Sequence, residues 1–381
     1  MCLQRCKEKK GFLNFQNRKS VQLIYNWNMS KKKDFKFIDL FAGIGGFRIA
    51  FDKQNGDCVF SSEYDRFSQL TYKAFFGEVP DFSNIVKVDP PGDITQIDAK
   101  DIPPHDILLG GFPCQPFSLA GVSKKNSLGK PHGFDDPTQG TLFFNIKAIL
   151  LKKTPKAFLL ENVKNLERHD KGNTFRVITE TLRALDYDIF YRVIDGAGWV
   201  PQHRERIYIV GFKKELGIHE FPEFYELKPP KKRPKTLADI LEDPEKVPEK
   251  YILKKGTWST LERHKKYHAE QGNGFGYGLI SPPFEDKTTR TLSARYHKDG
   301  AEILIDIGEK IPRRLTPLEC CRLMGFPKKY QKFFERNEKY PQPVSDTQAY
   351  RQFGNSVVVP VVTAIAEIMV KKLKAVGAFD G

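Results

Sequence analysis

Six short, largely apolar runs recur along the first 210 residues of the chain, at residues 35–40, 58–61, 106–109, 157–160, 187–194 and 207–210. Each has the length of a buried strand. Between several of them the apolar residues fall at helical spacing, as in residues 46–50, 140–150 and 174–185. Strands that alternate with helices pair in parallel and need helices on both faces, so the expected architecture is α/β with a doubly wound, mainly parallel sheet. Such sheets bind ligands beyond the C-terminal ends of their strands. The residues that follow each run are therefore the first place to look for chemistry.

The first run passes into Phe41-Ala42-Gly43-Ile44-Gly45-Gly46, a glycine corner that opens a helix. Glycines allow close approach of a ligand and the helix start presents free N–H groups. The spacing is not G-x-G-x-x-G, and a plain strand–helix turn is the competing reading. The second run ends at Glu63-Tyr64-Asp65, where an acid can accept from ribose hydroxyls or simply begin a helix. Asp93, in Gly92-Asp93-Ile94-Thr95, offers an acceptor to an adenine amino group or serves a turn.

The third run leads into Gly110-Gly111-Phe112-Pro113-Cys114-Gln115-Pro116-Phe117-Ser118. Pro113 and Pro116 fix their own φ and bias the residues before them towards extended geometry, so the loop displays one thiol rigidly. A lone Pro-Cys would read as a small buried cysteine; the whole nonapeptide reads as a positioned nucleophile. The fourth run ends in Glu161-Asn162-Val163, which brings a carboxylate to the same sheet edge, and Gln202-His203-Arg204-Glu205-Arg206 leads into the sixth.

At 381 residues the chain is long for one core, so two domains or a large insertion are expected. A net charge of +15 and a pI near 9.3 favour an anionic partner. The six cysteines include no CxxC pair, which suggests neither a zinc site nor a disulfide framework and fits a reducing cytosol. His264 and His268 stand four apart without a third ligand, so no metal is expected there. The apolar stretch 357–370 contains Pro360 and Glu367 and is too short to cross a bilayer. Residues 1–28 are basic, lack a signal-peptide core and precede a natural start at Met29, so they read as a disordered or mis-assigned extension.

After residue 212 the composition shifts. Pro229-Pro230-Lys231-Lys232-Arg233-Pro234-Lys235 reads as a basic linker, Gly272-Asn273-Gly274-Phe275-Gly276-Tyr277-Gly278 as a turn-rich stretch, and residues 300–307 as a short strand. An irregular β-rich module is expected here. Thr316 and Pro317 then open a helix, and Gly354-Asn355-Ser356-Val357 leads into the last one.

In this order, the glycine corner, the nonapeptide, Glu-Asn-Val, Gln-x-Arg-x-Arg and Gly-Asn-Ser-Val resemble the DNA cytosine-5 methyltransferases over residues 35–370. The resemblance implies an S-adenosyl-L-methionine-dependent methyltransferase fold. Residues 29–212 with 345–381 would form the catalytic domain, and residues 213–344 a target-recognition domain with its return hinge. It implies that Phe41, Ala42, Gly43, Ile44, Gly45, Gly46, Glu63, Tyr64, Asp93, Ile94, Pro113, Asn355 and Ser356 hold the cofactor, Tyr64 standing where many members carry tryptophan. Cys114 matches the nucleophile, Glu161 the acid, and Arg204 and Arg206 the two arginines, either of which could raise the thiolate fraction. Gln115, Ser118 and the Thr291-Leu292 pair would contact the substrate.

The implied reaction is methylation at C5 of a cytosine flipped out of double-stranded DNA, through a Cys114–C6 adduct, by a cytoplasmic monomer. By family association it would protect host DNA from a restriction endonuclease without contacting that enzyme. A transfer-RNA methyltransferase of the same fold is one alternative, disfavoured by the long insert at 213–312. A catalytically inactive DNA-binding homologue is the other.

Overall fold

The computed structural model describes residues 32–113 and 142–380. The proposed extension 1–28 and the residues Cys114, Gln115 and Ser118 lie outside the described residues. Six strands form the main sheet: β1 (Phe35–Leu40), β2 (Gly56–Ser62), β3 (Ile107–Gly111), β4 (Ala157–Val163), β5 (Tyr187–Asp195) and β6 (Glu205–Lys213), in the order β2-β1-β3-β4-β6-β5. Strands β1 to β4 pair in parallel, and β6 runs antiparallel to both of its neighbours. The reversal of β6 follows from the short connection after β5, because a parallel return needs a dozen or more residues.

Both faces of the sheet are covered, which is why its central strands are largely apolar. Phe35 and Phe37 of β1 join one core with Phe47, Ala50 and Phe51 of α1 (Gly46–Asp52). Ile38 and Leu40 join the other with Ile146 and Leu150 of α3 (Leu142–Lys153) and Ile178 and Leu182 of α4 (Asn173–Ala184). Helix α2 (Arg66–Phe76) follows β2. The chain leaves β1 towards β2 on one side and returns in β3 on the other, so the sheet order reverses between them. A crevice opens at such a switch point, and here it lies past Leu40 and its register partner Gly110.

The expectation of a β-rich module after residue 212 is corrected in its content. Residues 255–270 form α5 (Lys255–Glu270), and the strands are pairs only: β7 (Leu279–Ile280), β8 (Leu304–Ile305) and β9 (Arg313–Arg314). Segment 255–270 has no proline and buries Trp258 against Leu253 and Leu304, which is enough to seat a helix that is otherwise polar. The strand foreseen at 300–307 shrinks because Gly300 is left-handed, at φ 69°, and Ile303 N–H turns back to the Gly300 carbonyl.

Thr316 caps α6 (Pro317–Leu323) as its sequence predicts: its hydroxyl accepts from Glu319 N–H at 3.1 Å. The chain ends in α7 (Asp346–Asn355) and α8 (Val359–Ala375). Asp346–Ala375 is the one stretch among the described residues long and apolar enough to cross a membrane, and 61% of its apolar window is buried inside the fold. Val362, Ile365, Ala366 and Met369 spend that apolarity on the same core as α1.

Candidate active site

A cavity of about 700 Å³ occupies the switch-point crevice. Every residue foreseen for the cofactor lines it except Gly45, as do Glu161, Arg204 and Arg206. Gly45 faces away: at φ 80°, a Cβ there would lie 2.2 Å from the Phe76 ring, so this glycine lets α1 close on α2. Gly46 likewise makes room, for Val357 at the start of the last helix, with 2.6 Å between its would-be Cβ and Val357 Cγ2. Gly43 is the open one, left-handed at φ 56° with nothing but its own turn nearby. Phe41 also holds a positive φ, 55°, a conformation that costs a non-glycine residue on the order of 1 kcal/mol or more.

Glu63 organises the second wall. Its carboxylate accepts from Gly43 N–H and from Asp65 N–H, both at 2.7 Å, and so ties the end of β2 to the glycine corner. Burial holds this carboxyl above its ordinary range, against those two hydrogen bonds. Tyr64 is 64% exposed beside it, whereas Ile94 is buried, and Asp93 caps the turn that carries Ile94. An exposed aromatic face, a buried aliphatic one, a carboxylate and an open glycine turn are a donor and packing set that suits an adenosyl group with a hydroxylated sugar. The cavity is also of the size usual for small-molecule sites.

The chemistry of the third wall sits on β4 and β6. Glu161 is in register with Gly111 of β3, and its Oε1 lies 3.1 Å from Nε of Arg206. Burial pushes the Glu161 carboxyl up, and outweighs the pull of Arg206 and then Arg204 in the other direction. A carboxyl so placed keeps a proton more readily than one in water. Asn162, beside it, donates to the Phe112 carbonyl at 2.9 Å. That contact fixes the peptide leading into Pro113.

The two arginines divide their work. Arg204 is fully enclosed, and its guanidinium donates to the carbonyls of Leu292 at 2.8 Å, Gly354 at 2.9 Å and Ser356 at 2.6 Å. Burial, then the charge of Arg206, brings its pKa down to about 9, so it still carries its proton at neutral pH. Arg204 thus lines the cavity while held by three backbone oxygens, and Arg206 lines it beside Glu161. Those oxygens join the Thr291-Leu292 segment to the two residues flanking Asn355. Thr291 and Leu292 themselves lie off the cavity: the Thr291 hydroxyl donates to His203 O at 2.6 Å and Leu292 N–H to Gln202 Oε1 at 2.8 Å.

Replacing Arg204 by methionine would orphan three carbonyls, each worth on the order of 1 kcal/mol or more. Urea unfolding of Arg204→Met is expected to show a loss of about 3 kcal/mol; a loss below about 1 kcal/mol would contradict this fastening role.

Several contributors escaped the sequence reading. Gln348, Arg351 and Gln352 line the cavity together with Asn355, and their spacing of three, four and seven puts them on one face of α7. That phase was the available signal. Gln352 also accepts from Thr71 on α2 at 2.9 Å, linking the two walls of the site. Asp195 was silent in sequence, yet it accepts from Arg204 N–H at 2.8 Å and aligns His203.

Comparison with known proteins places this geometry. The family described as C-5 cytosine-specific DNA methylase matches residues 35–371. The chain belongs to that family. Among its relatives, the DNA-cytosine methyltransferase of Escherichia coli K12 is 48% identical, over 89% of this chain and 78% of its own length. Type II methyltransferase M.NlaX of Neisseria lactamica is also 48% identical, over 90% of this chain and 98% of its own. The Dnmt2 methyltransferase of S. pombe has the same fold, at a TM-score of 0.65 and 19% identity, covering 89% of this chain and 99% of its own. The doubly wound sheet is that of these methyltransferases, and the chain is a DNA cytosine-5 methyltransferase by family.

Proposed function

We propose that this methylase transfers the methyl group of S-adenosylmethionine to C5 of a cytosine flipped out of duplex DNA, through a covalent bond between Cys114 and C6. The reading is carried by one observation: the Glu161–Arg206 pair and Pro113, the residue before Cys114, open into the same cavity as the adenosyl-type pocket. S-adenosylmethionine would contribute an electrophilic methyl on a sulfonium. Gly43, Glu63, Tyr64, Asp93, Ile94, Asn355 and Ser356 would hold it, Glu63 accepting from the ribose hydroxyls.

C5 of cytosine is a poor nucleophile, so the chain must first raise its electron density. The Cys114 thiolate adds to C6 while N3 takes a proton from Glu161, and the C5–C6 π pair becomes available at C5. Once C5 carries the methyl, water takes the C5 proton, the freed electron pair re-forms the C5–C6 double bond and expels the thiolate, and N3 returns its proton to Glu161. Arg206 keeps Glu161 in place between turnovers. C5 and C6 lie inside the base stack, so the cytosine must leave it before any of this can occur.

On this reading residues 29–212 with 345–381 form the catalytic part and residues 213–344 read the target. The type II names of relatives such as M.NlaX support a role in protecting cellular DNA from a cognate endonuclease. The test is transfer of labelled methyl from S-adenosylmethionine to duplex DNA, followed by bisulfite sequencing. Label at one cytosine of one short sequence is expected. Label confined to RNA would favour the transfer-RNA alternative, and no transfer at all an inactive homologue.

The cofactor assignment makes a narrower prediction. Glu63→Gln weakens the acceptor facing the ribose, so calorimetry should show S-adenosylmethionine binding weakened about tenfold to a hundredfold. An unchanged affinity would remove Glu63 from the cofactor site.

A further inference from the structure

The proline-rich run at residues 228–235 has the composition of a basic linker, yet the fold holds it in place along its length. Just before it, Arg192 of β5 donates through Nη1 to the carbonyls of Phe224 at 2.9 Å, Tyr225 at 2.7 Å and Leu227 at 3.1 Å. Pro229 packs on Gly198, where a Cβ would stand 2.5 Å from the proline ring. Arg233 turns inward and donates to Thr288 Oγ1 at 3.0 Å, Lys287 O at 3.2 Å and Lys235 O at 3.1 Å. Thr236 and Asp239 then cap the turn that follows.

These fastenings set the run at one edge of the main sheet. Strands β4 and β5 both run antiparallel to β6, so β5 ends at the edge where Glu161 meets the cavity. Gly198 belongs to the turn directly after β5. Thr288, the partner of Arg233, precedes Thr289, whose N–H donates to Pro201 O and whose carbonyl accepts from His203 N–H, both at 2.9 Å. The run is therefore anchored to the segment that delivers Arg204 and Arg206 to the cavity.

Residues 228–235 carry Lys228, Lys231, Lys232, Arg233 and Lys235 and no acid. Arg233 serves the fold. Lys228, Lys231 and Lys232 are exposed and enter no ion pair among the described residues, whereas Lys213 and Lys246 on either side are paired with Asp186 and Asp243. Asp239 does not answer them, because its carboxylate accepts from Thr236 N–H at 2.7 Å and from the Thr236 hydroxyl at 2.9 Å. Burial, then the like charges of Arg322 and Lys328, hold the Lys235 ammonium below its ordinary value, so cations are crowded on this face.

We propose that residues 228–235 form a phosphate-binding ledge, on which Lys228, Lys231 and Lys232 hold the backbone of the duplex beyond the base pairs that are read. The proposal rests on the reading of duplex DNA as the substrate. A lysine ammonium is a point charge on a flexible stem, which suits phosphates and carries no sequence information. Pro229, Pro230 and Pro234 fix their own φ, so little backbone freedom is lost when the ledge is occupied. Each phosphate neutralised releases counterions, and the contact therefore shows in the salt dependence of binding.

The experiment titrates the full chain and a variant with Lys228→Gln, Lys231→Gln and Lys232→Gln against two duplexes, one of about 12 base pairs centred on the methylated sequence and one of about 30, over a range of salt. On the long duplex the plot of log affinity against log salt should lose about 2 to 3 of its slope, and each single Lys→Gln variant about 0.9. On the short duplex the triple variant should stay within about twofold of wild type, because the flanking phosphates are missing. Preference for the methylated over a scrambled sequence, and the single-turnover rate at saturating DNA, should not change. Three arginines in place of the lysines should keep the wild-type slope. An unchanged slope on the long duplex, an equal loss on both duplexes, or a shift in sequence preference would overturn the ledge while leaving the methylase reading intact. A wild type that methylates no duplex cytosine would remove that reading, and this proposal with it.

Discussion

Cys114→Ser is expected to slow a single turnover of methyl transfer by a factor on the order of 10³ or more, with melting temperature and S-adenosylmethionine affinity unchanged. A free thiol with a pKa near 8.5 is a few per cent ionised at neutral pH, and the thiolate is the species that adds to C6. A serine hydroxyl offers no comparable anion. The residue stands next in the chain to Pro113, which lines the cavity, and the peptide before Pro113 is held by Asn162. A variant within tenfold of the wild type would mean that C6 is attacked by some other group.

Glu161→Gln is expected to cost a factor of roughly 10² to 10⁴ in the same assay, the range of a lost general acid. The amide keeps the shape and can donate a hydrogen bond to N3, but it cannot deliver a proton. Its partner Arg206 keeps one oxygen to donate to, so the fold should survive. DNA and cofactor titrations should move little, because the cofactor wall is built from other loops. A near-wild-type rate, or a defect confined to binding, would remove Glu161 from the mechanism.

The pH dependence gives the same assignment a second reading. Burial raises the Glu161 carboxyl, so its proton is retained into a window above the ordinary carboxylate range and lost as pH rises through the folded-state value. Activity that needs the protonated carboxyl in free enzyme falls across that window, and Glu161→Gln should lack that limb. The stability effect has the same sign. A carboxyl raised in the folded state contributes most below its unfolded value and loses that contribution as pH increases through the folded one. Unfolding followed against pH should therefore show Glu161→Gln gaining on the wild type as the pH rises.

Much of this was legible in sequence for a local reason. The central strands are largely apolar, and Gly43, Glu63 and Glu161 stand at or just past their C-terminal ends, so these three could be placed by counting. What was hidden depends on contacts between distant segments. The three carbonyl partners of Arg204, 88 to 152 residues away, are not visible in its local sequence. Gly45 sits inside a ligand-binding pattern but serves the packing of α1 on Phe76. Helix α5 shows in sequence only through the four-residue spacing of His264 and His268, because most of its residues are polar and it is seated by Trp258 packed with Leu253 and Leu304.

The central claim is that catalysis passes through a covalent bond between Cys114 and C6 of a flipped cytosine. It is tested most directly with duplex DNA carrying 5-fluorocytosine at the target position, incubated with the full chain and S-adenosylmethionine. Fluorine cannot leave C5 as a proton does, so the thiolate cannot be expelled and the intermediate persists. A denaturation-resistant protein–DNA adduct is expected, dependent on cofactor, with peptide mass spectrometry placing the DNA on Cys114. An adduct on another residue, an adduct formed equally by Cys114→Ser, or turnover without any adduct would contradict the account.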